Sequence, residues 1–442
     1  MYRDLKEGNI LKALVLFALP MMVGNVLQQL YNIADTLIVG QAMGKNALAS
    51  VGSAYTLMTF LTSIFLGLSM GAGALFSIYL GRGDRDALKS AIAHAFALIA
   101  AVTVVLNVAV YAFIDAILRF LAVPTELYAD MRAYLIIIFM GLVATSLYNF
   151  FACLLRAVGN SVAPLWFLAA AALLNIALDL LFVLVFEWGI EGAAAATVIA
   201  QYVSGIGLAI FFVRRCGEFL PERRHWQKNT RILKEIFDLS FLTCVQQSTM
   251  NFGILLIQRL VDSFGAVTMA AFAAAVKIDT FAYLPVQDFG NAFSTFTAQN
   301  YGAGNRERVQ KGFRQATAMS VIFSVFISAL VCISAPLLMR IFVQAGETEV
   351  IACGVRYLRI EGAFYFGIGC LFLLYGFYRA IERPGMSVVL TVISLGTRVL
   401  LAYMLAPTVG ETGIWAAIPI GWALADIAGY GYYMLRRDKM LK

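Results

Sequence analysis

Charge is scarce in this 442-residue chain. Asp, Glu, Lys and Arg together make up 13% of it, while apolar residues make up 61%, and soluble domains carry roughly a quarter charged residues. There is too little polar side chain to cover a water-soluble surface, so a soluble globule is excluded. Histidine is almost missing, with only His94 and His225, and the six cysteines form no CxxC pair. Zinc sites, a thiol redox pair and a disulfide framework are therefore not expected, and the scattered cysteines read as packing residues. No GxxxxGK[ST] occurs, so the chain carries no recognisable ATP-binding domain. With no close His pair and no Cys nucleophile motif, enzymatic function is not expected either, and no cofactor is implied.

Long apolar runs fill the space that charge leaves. They lie near residues 14–39, 50–80, 90–116, 128–154, 162–186 and 191–213, then 236–261, 267–300, 313–340, 356–380, 386–407 and 412–435. Each approaches or exceeds the about 20 residues that a helix needs to cross a bilayer, and none alternates as a barrel strand does. The first run is longer than a signal-peptide core and reads as a retained span. The expected fold class is an all-α membrane protein of twelve transmembrane helices.

Alternate loops differ sharply in Lys and Arg. One set holds basic stretches such as Arg82 to Lys89, Arg214 to Lys234, Arg306 to Arg314 and Arg436 to Lys442. The other holds only Lys45, Arg119, Arg132, Arg340, Arg356 and Arg359. By the positive-inside rule both termini are cytoplasmic, in a multi-pass protein of the plasma (inner) membrane. The net charge of +7 is thus a topology signal, and no nucleic-acid partner is implied.

The chain also repeats itself. A shift of 221 residues lays Gly81-Arg82-Gly83-Asp84-Arg85 on Gly302-Ala303-Gly304-Asn305-Arg306, Gly44 on Gly265 and Gly192 on Gly413; a shift of 223 lays Arg156-Ala157 on Arg379-Ala380. Six spans per copy is an even number, so the copies run parallel, as two six-helix lobes. The division expected is 1–213 for the N-terminal lobe, 214–234 for a cytoplasmic linker and 235–442 for the C-terminal lobe. Asp84 and Asn305 stand where they can cap the helix that follows each GxG turn.

Charges inside spans are costly and mark function by default. Asp35 falls in the outer part of the first span. Asn175 and Asp179, four apart, project from one face of the fifth, and Thr197 lies about as far beyond the 187–192 hairpin as Asp179 lies before it, which puts them at similar depth. Two carboxylates, an amide and a hydroxyl suit a hard cation such as sodium, or protons held between neighbouring carboxyls. Pro20 removes one helix hydrogen bond and can bend the first span. Met21, Met22, Tyr31 and Tyr148 are candidates to line an adaptable apolar cavity. In the second half, Lys277, Asp279, Asp288 and Arg398 carry both signs of charge and read as a network paired between helices.

The run Pro20-Met21-Met22 through Gln28-Gln29-Leu30-Tyr31-Asn32-Ile33-Ala34-Asp35-Thr36-Leu37-Ile38-Val39-Gly40 resembles the first helix of the multidrug and toxic compound extrusion (MATE) family, of the MOP flippase superfamily. Gln299-Asn300-Tyr301-Gly302-Ala303-Gly304 and Gly413-Ile414-Trp415 resemble its later signatures. The resemblance implies two lobes around a cavity and antiport of amphipathic, often cationic, organic compounds against sodium or protons. It matches Asp35 to the family's first-helix acid and Asn175, Asp179 and Thr197 to its N-lobe cation site. One branch carries further acids in its seventh and tenth helices, and Thr243 to Asn251 and Phe366 to Leu374 contain none here, which shifts the coupling role to the N-lobe. The expected partners are a small organic substrate and membrane lipid, the expected state a monomer. Export of a lipid-linked precursor or a metabolite is the alternative.

Overall fold

The computed structural model describes residues 5–120, 125–344 and 346–440, and among them every regular element is helical. The chain runs through α1 (Ile10–Arg82), α2 (Arg85–Ala112), the short α3 (Ile114–Phe120), α4 (Thr125–Ile138), α5 (Gly141–Ala157), α6 (Val162–Asp179) and α7 (Gly189–Arg215). Then follow α8 (Thr230–Asp262), α9 (Ala266–Gly302), α10 (Arg306–Phe342), α11 (Thr348–Gly362), α12 (Tyr365–Ala380), α13 (Pro384–Val409) and α14 (Glu411–Met440).

Nine segments among the described residues are long and apolar enough to cross a membrane. Two of these, Ile10–Gly40 and Leu57–Arg82, lie within α1, and two bent helix pairs raise the total to eleven. α8 has 33 residues, about 50 Å at 1.5 Å per residue; it is long enough to span but more polar, and with it the spans number twelve. The all-α membrane fold read from the sequence is the fold observed. Between the first two expected spans, where a loop around Gly44 was read, the backbone stays helical.

The fourth and tenth expected spans, 128–154 and 356–380, are each broken rather than continuous. The first bends by 43° between Leu127–Ile138 and Gly141–Ala157, the second by 51° between Thr348–Gly362 and Tyr365–Ala380. A break in a membrane helix frees carbonyls that water cannot satisfy, so side chains must. At the first break Tyr111 Oη donates to Ile136 O (2.7 Å), Asn107 Nδ2 to Phe139 O (2.9 Å) and Tyr202 Oη to Met140 O (3.1 Å). Near the second, the Cys332 thiol reaches Leu358 O (4.0 Å) and Arg359 O (3.9 Å). The bend recurs at equivalent places of the two halves, as the internal repeat requires.

The repeated GxG turn is also built twice. Gly83 and Gly304 have φ of 73° and 71°, left-handed values that favour glycine. Asp84 accepts from Ala87 N at 2.9 Å and Asn305 from Arg308 N at 3.3 Å, the capping read from the sequence.

Among the described residues two compact units emerge, one within Val23–Cys244, the other of residues 5–22 with 245–440. This division differs from the sequence division at two places, each for a local reason. The N-terminal stretch is held in the second unit, where Arg308 donates to the carbonyls of Glu7 (2.7 Å) and Gly8 (2.8 Å) and Asn300 to that of Leu5 (3.1 Å). The linker and the start of α8 are held in the first. Tyr79 bonds Glu235, and Lys89 pairs with Glu222 at 2.9 Å. His225 takes Glu222 N on Nδ1 (2.9 Å), which leaves its Nε2–H to donate to Asp86 (3.1 Å). That hydrogen bond and the Arg224 guanidinium hold the Asp86 carboxyl below the usual carboxylate range. His94 is likewise fixed by backbone groups, Ser90 O at 2.7 Å and Asn229 N at 3.3 Å, which is a packing role.

Helix backbones in the second unit touch where glycines allow it. A Cβ on Gly376 of α12 would lie 2.5 Å from Gly290 O of α9, closer than any side chain tolerates. Gly376→Val is expected to cost about 1–3 kcal/mol through overpacking, read as a lowered melting temperature of the detergent-purified protein. An unchanged melting temperature would refute the close crossing.

Candidate functional site

The first unit gathers its in-span polar residues at the end of α6. Asn175 and Asp179 are 2% and 0% exposed, and immediately after Asp179 the helix widens into a π-helical turn, Leu180–Val185, a distortion that often accompanies functional sites. The chain then reverses through Glu187 (φ 56°) and Gly189 (φ 65°) into α7. This return brings Thr197 back to α6, and its partner is Asn175, whose Nδ2 donates to Thr197 Oγ1 at 3.3 Å.

Asp35 of α1 meets Asp179 carboxyl to carboxyl, within hydrogen-bonding reach. Two carboxylates are acceptors only, so this contact becomes a hydrogen bond only when one of them carries a proton. Among the described residues no donor reaches Asp35 Oδ1, Asn175 Oδ1 or either oxygen of Asp179, all of them buried. Buried acceptors are normally paired, and four in one place form a donor set for a proton or a hard cation. Tyr134 of α4, buried, lies within electrostatic reach of both acids, and Tyr31 within reach of Asp35. Tyr134 went unnoticed in the sequence because aromatic residues are abundant in every span.

The other candidates divide between units. Pro20, Met21 and Met22 belong to the second unit, Tyr31 and Tyr148 to the first. The helix continues on both sides of Pro20. Met21 is buried in the second unit's core, and Tyr148 donates to Pro164 O at 3.2 Å.

In the second unit, Asp279 and Arg398 lie within electrostatic reach of each other and of an acid not singled out in the sequence, Glu361 at the end of α11; among the described residues Arg398 forms no ion pair with either acid. Tyr365 donates to Asp279, and the Tyr357 hydroxyl serves both carboxyls. Asp279, Glu361, Tyr357 and Tyr365 are all buried. Lys277 is exposed on another face of α9, and Asp288, also buried, lies more than two turns further along it. Asp426 of α14 is a further in-span acid, its Oδ1 buried without a donor. The signal for Glu361 and Asp426 was available, since both are carboxyls within apolar runs.

A duplicated, all-helical chain with buried carboxyl pairs between its spans defines a multi-pass membrane protein with the plan of a carrier. The chain belongs to the MatE family, whose model matches it twice, over residues 20–181 and 243–404. It is similar to the probable multidrug resistance protein YpnP of Bacillus subtilis, 30% identical over 99% of this chain and 98% of that one. It is also similar to the probable multidrug resistance protein NorM of Thermotoga maritima, 26% identical over 95% and 90% of the two chains. A MOP superfamily transporter from Pyrococcus furiosus shares the fold, with a TM-score of 0.93 at 23% identity over 99% of this chain and 98% of that one.

Proposed function

We propose that this protein is an ion-coupled secondary antiporter that exports amphipathic, often cationic, organic compounds across the plasma membrane, with both termini cytoplasmic. The carrying observation is the set of buried oxygens without donors on Asp35, Asn175 and Asp179. Proton or sodium binding there neutralises a carboxyl pair whose ionisation inside the membrane is otherwise costly. Loading and unloading therefore change the energy of the site by different amounts in different conformations, which is the requirement for coupling. The names of the relatives, multidrug resistance proteins of Bacillus and Thermotoga, support an organic export substrate, and family membership supports transport over enzymatic chemistry. The absence of an ATP-binding motif from the sequence leaves an ion gradient as the energy source.

The test is efflux of a fluorescent organic cation from proteoliposomes under a sodium gradient and a proton gradient imposed separately, with Asp35→Asn as control. Efflux driven by one gradient and lost in the variant supports antiport and names the ion. No cation movement under either gradient would reject an organic cation substrate and direct attention to a lipid-linked precursor or a metabolite.

A further inference from the structure

The only two histidines of this chain bond to the same strap. Residues 218–229, between α7 and α8, run along one side of α2, and each successive contact lies further along both. Arg85 pairs with Glu218 (3.3 Å) and Lys89 with Glu222 (2.9 Å). Ser90 Oγ then donates to His225 O (3.4 Å), and Asn229 N donates to His94 Nε2 (3.3 Å). Four-residue spacing brings Arg85 and Lys89, and likewise Asp86, Ser90 and His94, to neighbouring rows of one helix face. All of these contacts lie within the first unit.

The hydrogen bonds fix the protonation state of both rings. A carbonyl only accepts, so the 2.7 Å contact with Ser90 O places the proton of His94 on Nδ1. Nε2 is then bare, and it accepts from Asn229 N. His225 has the opposite arrangement, with Nδ1 accepting from Glu222 N (2.9 Å) and Nε2–H donating to Asp86 (3.1 Å). A neutral imidazole has one N–H and one bare nitrogen, and in both rings the bare nitrogen takes a backbone N–H of the strap. A second proton turns each of these acceptors into a donor and sets N–H against N–H.

The charged groups around His225 do not relieve this conflict. Asp86 faces Nε2, which carries its proton in either state. The Glu222 carboxylate is held by Lys89 (2.9 Å), by Arg224 (3.1 Å) and by the backbone N–H of His225, and Arg224 also pairs with Asp86 (2.9 Å). His94 meets Ser90 and Asn229, and among the described residues no charged side chain bonds to it. The ion pairs are largely exposed and individually weak, so the two backbone N–H bonds to imidazole carry much of the docking. A cavity of about 450 Å³, lined in part by Asp86, Arg224, His225, Lys228 and Asn229, opens at the strap and gives water access to it.

A strap of the same kind is held on α10 without histidine. Residues 5–9 precede α1 as 225–229 precede α8, and Asn9 and Asn229 cap the two helices alike, accepting from Lys12 N (3.0 Å) and Ile232 N (3.2 Å). There the holding group is Arg308, which donates to the carbonyls of Leu5, Glu7 and Gly8, and a guanidinium does not change its charge with pH. We propose that His94 and His225 make the strap on α2 a proton-released switch, docked while both rings are neutral and released as the pH falls through the range in which histidine gains a proton. The docked form binds fewer protons, so docking is strongest at the alkaline end and is lost on acidification. The strap leads into α8, the first helix of the second copy, so protonation loosens the start of that helix. In the orientation proposed above the switch reads the cytoplasm, through groups separate from the Asp35–Asp179 site.

The test is hydrogen–deuterium exchange of the full-length protein in proteoliposomes, read by mass spectrometry on peptides covering residues 218–232 over a series from about pH 8 to about pH 5.5. Each rate is divided by that of an unstructured peptide of the same sequence at the same pH, which removes the intrinsic pH dependence of exchange. Protection of the strap is expected to fall severalfold across the series, while that of residues 95–110 in α2 holds. In His94→Gln/His225→Gln, whose new side chains take up no proton, protection is expected to stay constant over the series. Constant protection in the parent overturns the switch whatever the variant does. The same fall in the double variant overturns it as well and assigns the response to the carboxylates of Asp86 and Glu222. Neither outcome depends on transport, so the reading of the Asp35–Asp179 site stands or falls separately.

Discussion

Asp179→Asn is expected to reduce gradient-driven efflux by about 5–150-fold, the range of a typical coupling free energy of 1–3 kcal/mol, while leaving the fold intact. The amide has nearly the shape of the carboxyl, and its NH2 can donate to Asp35, so the buried contact gains a permanent hydrogen bond in place of an exchangeable proton or ion. Transport should fall while the melting temperature holds or rises. Normal, gradient-dependent efflux in this variant would refute the role of the pair. The same cluster distinguishes the two ions. Sodium would take Asn175 Oδ1 and Thr197 Oγ1 as ligands, whereas a proton needs only the carboxyls. Asn175→Ala should therefore raise the sodium concentration required for half-maximal exchange if sodium couples, and leave the proton-driven rate nearly unchanged if protons do. Efflux assays over a sodium titration and a pH titration read the difference.

Arg398→Met is expected to destabilise the protein by about 1–3 kcal/mol, because it removes the cation that acts electrostatically, without a direct ion pair, on the buried carboxyls of Asp279 and Glu361. The side chain is replaced by one of similar length, so packing loss is a minor part. Glu361→Gln added to Arg398→Met should recover most of the loss, since it removes one of the charges that Arg398 balances, and Tyr365 still serves Asp279. Thermal unfolding of the purified single and double variants tests this. A single variant as stable as the parent, or a double variant no more stable than the single, would show that the cluster is held by packing rather than by charge balance.

The parts of this protein that were legible in the sequence are those governed by the solvent. Apolar runs long enough for a bilayer and a one-sided distribution of Lys and Arg follow directly from the cost of burying polar groups in hydrocarbon. The repeat was legible because its turns demand particular residues: glycine at Gly83 and Gly304 for a positive φ, and a short oxygen-bearing side chain at Asp84 and Asn305 for the cap. The first candidate site was legible in part. Asn175 and Asp179 share a face by helical spacing, and the return distance through the following turn brings Thr197 to the same region. Which of them bonds Thr197 was not legible, because a single turn of helix separates the two possibilities.

Tertiary structure alone decided the rest. Nothing in local spacing says that α1 brings Asp35 against Asp179, that Glu361 rather than Lys277 or Asp288 comes within electrostatic reach of Asp279 and Arg398, or that Leu5, Glu7 and Gly8 are held in the second unit by Arg308. The two bends were hidden for the same reason. Phe139, Met140 and Phe364 read as ordinary apolar positions, and the breaks are tolerable because side chains from other helices meet nearby carbonyls: Tyr111 that of Ile136, Asn107 that of Phe139, Tyr202 that of Met140 and Cys332 those of Leu358 and Arg359. The sequence by itself therefore determined that this chain spans a membrane as a duplicated bundle of helices with acids among its spans, because each span answers to the bilayer alone. Only the folded molecule determined which acids meet, because that depends on how helices distant in sequence pack against one another, and a buried charge is defined by its neighbours.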